Sequence, residues 1–255
     1  MTDEPARIAA LYRYPVKGLS AEPLESIRLR PGAGIPGDRA YAIENGPSAF
    51  DPAAPRFFPK ATFLMLMRNE SLAALATRFD ETTKELSILR DGECLLRASL
   101  DTEDGRRAVE AFFAAYSAGD LRGPPKVLSA PGHFFWDRSE PLVSLINLAT
   151  LVELAATVGM PVHPLRFRAN LYVSGMPAWR EFDLVGATVE IGGVVFKGVD
   201  RITRCAAVNV NPETAGRDLN LPRTLQKTYG HACCGVYLKV VREGETRIGD
   251  PLVTG

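Results

Sequence analysis

Cysteine is scarce in this chain. There are four in 255 residues, at Cys94, Cys205, Cys233 and Cys234. No Cys-x-x-Cys pair is among them, which argues against a zinc or iron–sulfur cage built by the chain alone. Cys233 and Cys234 are neighbours and could bridge only through a strained ring, so free thiols in a reducing compartment are expected. Histidine is scarcer still: His133, His163 and His231 form no pair at ligand spacing. Charge of one sign is not in excess, with 30 basic residues against 30 acidic. That balance argues against a nucleic-acid or membrane-surface partner, since both need a basic surplus. No apolar run nears the roughly 20 residues that cross a bilayer. The acidic start Met1-Thr2-Asp3-Glu4-Pro5 lacks the apolar core of a signal peptide, so a cytoplasmic location is expected. A glycine-rich dinucleotide or phosphate loop, a Gly-x-Ser-x-Gly elbow and a His-Glu-x-x-His helix are missing as well.

What remains is a chain that is 46% hydrophobic, enough for a real core in one large or two small domains. Most segments read as short strands joined by turns. Strands are expected at Ile8–Tyr14, Ser26–Leu29, Ala40–Glu44, Phe63–Met67, Lys126–Ser129 and Val236–Val241. Asp91-Gly92 predicts a hairpin between Leu86–Leu89 and Cys94–Arg97, with Cys94 facing a core. Gly192-Gly193 predicts another between Thr188–Ile191 and Val194–Gly198. Helices are expected over Asn69–Phe79, over Glu103–Ser117 behind a Thr102 cap, over Asn147–Val158 and near Arg223–Tyr229. Regular helical crossovers are few. The pattern therefore favours a mainly β chain with some α, built as β-barrels with peripheral helices, over a doubly wound sheet. Gly119–Pro125 lacks periodicity and marks a joint between domains 1–120 and 121–255.

One stretch carries chemistry: Arg201-Ile202-Thr203-Arg204-Cys205, followed by a short strand at Val208–Val210 and a turn at Asn211-Pro212. Two guanidiniums beside a sulfur favour its thiolate, which is a nucleophile or a soft metal ligand. Such a ligand in a basic setting suits a metal carried on an anionic, phosphate-bearing cofactor. Upstream, Arg166-Phe167-Arg168-Ala169-Asn170 reads as a strand with Arg166, Arg168 and Asn170 on one face. Buried without a partner that face is costly, and an anion would be the partner. Lys17 and Arg39 stand at strand ends beside Gly and Pro, where loops carry function. Asp38 could equally pair with Arg39.

Together these pieces resemble the MOSC (molybdenum cofactor sulfurase C-terminal) superfamily, in the form with an N-terminal MOSC β-barrel domain, related to the amidoxime-reducing molybdenum enzymes. Tyr14-Pro15-Val16-Lys17-Gly18 and Gly37-Asp38-Arg39 resemble the N-terminal signatures. Arg166-Phe167-Arg168-Ala169-Asn170 and Arg204-Cys205 resemble those of the second domain, and Gly235-Val236-Tyr237 and Gly249-Asp250 its closing strand and turn. The resemblance implies a molybdopterin-type molybdenum cofactor whose protein ligand is Cys205. Lys17, Arg39, Arg166, Arg168 and Arg204 would hold the phosphate and ring system, and Asn170 would hydrogen-bond the cofactor. The implied activity is an oxidoreductase that reduces N-hydroxylated or N-oxide small molecules, with Cys205 at the catalytic centre. No cysteine set for an iron–sulfur domain is present, so electrons would come from a separate donor protein. The alternative is a cofactor or sulfur carrier using Cys205. Two departures bear on substrate: Asn211 stands where many members have Asp, and Cys234 where many have Phe.

Overall fold

The computed structural model describes residues 5–255, so the acidic start Met1–Glu4 lies outside the described residues. The strands are β1 (Arg7–Arg13), β2 (Glu22–Leu24), β3 (Ser26–Leu29), β4 (Ala42–Asn45), β5 (Ala76–Asp80), β6 (Glu85–Arg90) and β7 (Glu93–Ser99). After helix α1 (Glu103–Tyr116) come β8 (Pro125–Leu128), β9 (Val143–Asn147), helix α2 (Leu148–Val158) and β10 (Leu171–Ser174). The chain closes with β11 (Thr188–Ile191), β12 (Val194–Thr203), helix α3 (Leu221–Tyr229), β13 (Cys233–Arg242), β14 (Gly244–Arg247) and β15 (Leu252–Thr254). Among the described residues the fold is thus mainly β with three peripheral helices, as the turn-rich pattern implied.

Eight strands form one sheet curled into a half-barrel, in the order β15-β11-β12-β13-β9-β10-β1-β2. Strands from the first 24 residues therefore lie beside strands from the last 85 or so of the described chain. Every pairing is antiparallel except β9 with β10, whose connection runs through α2. A parallel pair needs such a crossover, and Asn147 starts this one by accepting the Ala149 amide on its side chain. One face of the sheet is closed by Ile8, Leu11, Leu145, Leu171, Val189, Phe196 and Val236, all buried. A three-stranded sheet, β5-β6-β7, packs with α1 around Leu86, Ile88, Val109 and Phe113. Thr102 caps α1 by accepting from the Gly105 amide.

Several local expectations are corrected. Asn69–Phe79 is not a helix. A 3-10 turn (Glu70–Ala74) leads into β5, because Thr77 and Phe79 gain cross-strand partners in β6. Phe63–Met67 makes a single bridge, Phe63 to Glu44, and the Asn69 side chain takes the Met65 amide. Val208 and Asn209 fall in a 3-10 turn, Ala206–Asn209, rather than a strand, and Val210 makes only a single bridge, to Arg217. Cys94 is exposed: a register shift at Ile88/Leu89 turns its end of β7 outward. Arg166–Asn170 is no strand either. Pro164 opens a 3-10 turn (Pro164–Phe167), His163 accepts the Leu165 amide, and Arg168 adopts a left-handed φ of 51° before β10 begins.

Candidate functional site

A cavity of about 150 Å³ opens beside the end of β12. Lys17, Arg39, Arg166, Arg168, Asn170, Arg204 and Cys205 all line it. The alternating strand face that grouped three of them does not exist, yet the grouping survives. The 3-10 turn and the left-handed Arg168 bring Arg166 and Arg168 to the same wall by another route. Arg201 is not among them. Its guanidinium lies 4.3 Å from the ring centre of Phe182, so of the two arginines only Arg204 lines the cavity with the sulfur.

The basic groups are engaged to different degrees. Lys17, 6% exposed, donates to the Phe135 carbonyl (2.7 Å) and pairs with Asp137 (2.5 Å). Burial pushes its ammonium below the ordinary lysine value, and Asp137 only partly offsets that. Burial pushes the Asp137 carboxyl up, but Lys17, Lys60 and Arg39 together outweigh that and hold it below the ordinary carboxylate value. Arg39 pairs with Asp38 (2.5 Å) and reaches the Arg168 carbonyl (3.1 Å). Asp38 in turn accepts from the Tyr14 amide and the Trp136 indole. Arg166, 3% exposed, is held by Asp218 (2.7 Å) and the Asn209 carbonyl (3.0 Å). Arg204 donates to the carbonyls of Cys234 (2.8 and 2.6 Å) and Phe167 (3.0 Å). Asn170 accepts from Ser144 through its amide and hydroxyl and donates to Tyr12, tying β9 and β1 together.

Two donors are left over. Arg168 bonds the Leu19 carbonyl (2.6 Å), but its Nη2 is buried with no partner, as is Nε of Arg166. Burial pushes the Arg168 guanidinium down to about 10. A buried donor without an acceptor costs about 1–3 kcal/mol, more when charged. An oxyanion seated in the cavity would supply acceptors on this wall. Among the described residues no three His, Cys, Asp or Glu gather to hold a metal. With one thiol, a metal here must bring its remaining ligands with it. Cys205, half-buried in extended backbone just after β12, and the arginine wall fit a metal borne on an anionic organic cofactor.

Sequence reasoning gave Lys60 no role, and took Asp137 only as the end of the aromatic loop His133–Asp137, which could wall a pocket but reads more readily as packing. Asp137 follows an aromatic cluster that reads as a packed loop, and Lys60 sits in a Pro-rich stretch with no periodic signal. Both line the cavity. Burial pushes the Lys60 ammonium down, but its neighbours Cys205 and Asp137 outweigh that and hold it above the ordinary lysine value. Nothing local in either segment announces this, because the partners lie far along the chain.

Over 122 residues the chain is 30% identical to "Mitochondrial amidoxime reducing component 2" of Rattus norvegicus, covering 43% of this chain and 36% of that protein. Over 79 residues it is 35% identical to a molybdenum cofactor sulfurase of Caenorhabditis briggsae, covering 30% of this chain and 11% of that protein. The matches thus span little more than a third of the one relative and about a tenth of the other. Among solved structures, the YUAD protein from Bacillus subtilis aligns over 98% of this chain and 94% of its own, at 14% identity and a TM-score of 0.44. YiiM from Geobacillus stearothermophilus aligns over 44% of this chain and 53% of its own, at 19% identity and a TM-score of 0.36. Residues 133–253 match the MOSC domain family, and that part of the chain is a MOSC domain.

Proposed function

We propose that this chain holds a molybdopterin-type molybdenum cofactor in the cavity at Cys205 and acts as an oxidoreductase toward N-hydroxylated or N-oxide compounds, with electrons from a separate donor protein. One observation carries the reading. Residues from four separated segments, each suggested by charge or a motif, line one cavity with a single thiol at its edge. When bound, the cofactor supplies two-electron redox chemistry at its metal. Cys205 is the metal ligand of the chain. Arg168 and Arg166, with their unpaired donors, take the oxyanions of the cofactor, and a guanidinium keeps its charge at any working pH. Lys17, Arg39 and Arg204 complete the positive wall. Asn170 acts by holding Ser144 and Tyr12 in place, which would keep this part of the cavity lining rigid for the cofactor.

The test is molybdenum per chain in wild type and Cys205→Ala, both expressed in a host that makes the pterin. Near-stoichiometric metal in wild type and little in the variant supports the ligand role. Equal, negligible metal in both overturns it. With loaded protein, turnover of benzamidoxime by an artificial donor supports the enzyme. Tight binding without turnover, plus transfer to a cofactor-free acceptor, points to a carrier instead.

A further inference from the structure

Seven basic side chains line the cavity against three carboxylates, Asp38, Asp137 and Glu140. Six of the seven have a protein oxygen to hold. Lys17, Arg39 and Arg166 have carboxylates, Arg168 and Arg204 have carbonyls, and Arg138 lies 3.8 Å from Asp200. Lys60 is the exception: among the described residues no oxygen holds its ammonium in a hydrogen bond or ion pair. It is not held loosely, however. Lys60 opens a 3-10 turn (Lys60–Thr62) between Phe58 and Phe63, and both rings belong to an aromatic cluster centred on Phe135. Phe50, from the same loop, packs 5.3 Å from Phe135. The Phe135 carbonyl also receives Lys17, so the loop and the cavity wall share one anchor. The result is a fixed, half-buried cation with no carboxylate or carbonyl of its own, set against the Cys205 sulfur on the same cavity.

We propose that Lys60 is a specificity residue that draws anionic compounds to Cys205, so that the site takes substrates carrying a carboxylate or similar small oxyanion near the group presented to the sulfur side of the cavity. This deepens the proposed function, on which its substrate meaning rests, by narrowing N-hydroxylated compounds to acidic ones. The local chemistry stands without the cofactor, and so does its test.

Cofactor-free full-length protein is alkylated with iodoacetate and, separately, with iodoacetamide, and the rate at each cysteine is followed by peptide mass analysis. Both reagents attack the same thiolate, so their rate ratio cancels any change in thiolate fraction and reports the charge preference of the approach. The exposed Cys94 is the internal standard. The expected iodoacetate-to-iodoacetamide ratio at Cys205 is about tenfold above that at Cys94, the low end of what charge steering does to association rates. It falls most of the way to the Cys94 value in Lys60→Gln and is retained in Lys60→Arg. A Cys205 ratio equal to that of Cys94 overturns the proposal, as does a raised ratio that Lys60→Gln leaves unchanged. Loss in both variants also overturns it, by assigning the effect to loop packing rather than charge. Molybdenum content, measured on separately loaded protein, speaks to the proposed function alone. A chain that never holds the metal fails that reading while the alkylation ratio still decides on Lys60.

Discussion

Arg39 and Arg168 are joined around one ring: each guanidinium lies 4.3 Å from the centre of Tyr14, and Arg39 donates to the Arg168 carbonyl. Both residues have left-handed backbone, at φ 53° and 51°. They come from distant parts of the chain, so the buried tyrosine between them fixes the cavity wall. Two cations beside one face-bearing ring repel each other, and the ring quadrupole and Asp38 offset that repulsion.

Tyr14 should therefore matter beyond its size. Its hydroxyl donates to the Ala169 carbonyl (3.1 Å). Tyr14→Phe is expected to cost about 1 kcal/mol, one net hydrogen bond. Tyr14→Ala should cost about 3–5 kcal/mol and lower molybdenum retention, because the arginines lose their platform. Urea denaturation reads the first effect and elemental analysis the second. A Tyr14→Ala protein as stable as wild type would show that the ring organises nothing.

Asp218 gives a pH signature. Burial raises its carboxyl, but the hydrogen bonds from Arg166 and Asn211 lower it further, so its folded pKa lies below the ordinary value. A depressed folded pKa contributes stability that is present above the unfolded value of about 3.9 and is lost as pH falls through the folded one. Wild type should thus lose stability faster than Asp218→Asn as pH drops from about 5 to below 3. At pH 7 Asp218→Ala should cost about 2–3 kcal/mol. That is less than a fully buried pair, since the Asp218 side chain is 28% exposed. Parallel acid melts of the two proteins would refute this.

At Gly235 the demand is steric. Its φ is +78°, and a Cβ there would sit 2.4 Å from the Leu145 carbonyl oxygen. The preceding carbonyl, of Cys234, is the one Arg204 grips. Gly235→Ala is expected to destabilise by about 2–3 kcal/mol and to loosen Arg204. Equal denaturation midpoints for the two proteins would contradict the strain argument.

Thiol accessibility follows burial. Cys234 is fully buried among Ile146, Leu151 and Leu225, and burial pushes its thiol up to about 12. With iodoacetamide at pH 8 the native protein should label at Cys94 and leave Cys234 untouched, while denatured protein labels at all four. Native Cys234 reacting as fast as Cys94 would mean that the strand opens readily.

Arg168→Ala and Arg204→Ala should lose cofactor rather than only slow turnover. Arg168 carries the unpaired donor, and Arg204 spans the carbonyls of Cys234 and Phe167 beside Cys205. Molybdenum per chain decides it, and full content in either variant removes that arginine from the cofactor wall.

Local chemistry was legible in the residues. The hairpins at Asp91-Gly92 and Gly192-Gly193, the Thr102 cap and the mainly β character follow from turn glycines, capping side chains and apolar spacing, all of which act within a few residues. The thiol beside Arg204 and the basic motifs were visible for the same reason. Tertiary structure decided what no window of sequence contains. Pro164 and the left-handed Arg168 replaced an alternating strand with a turn, yet delivered the same arginines to the cavity. Arg201 was drawn off to Phe182. Asn170 was spent on Ser144 and Tyr12, and Lys60 was carried to Cys205 by an aromatic anchor on Phe135 more than 70 residues away. Which charges are paired and which stay free depends on contacts between distant segments, and only the closed fold brings those segments together.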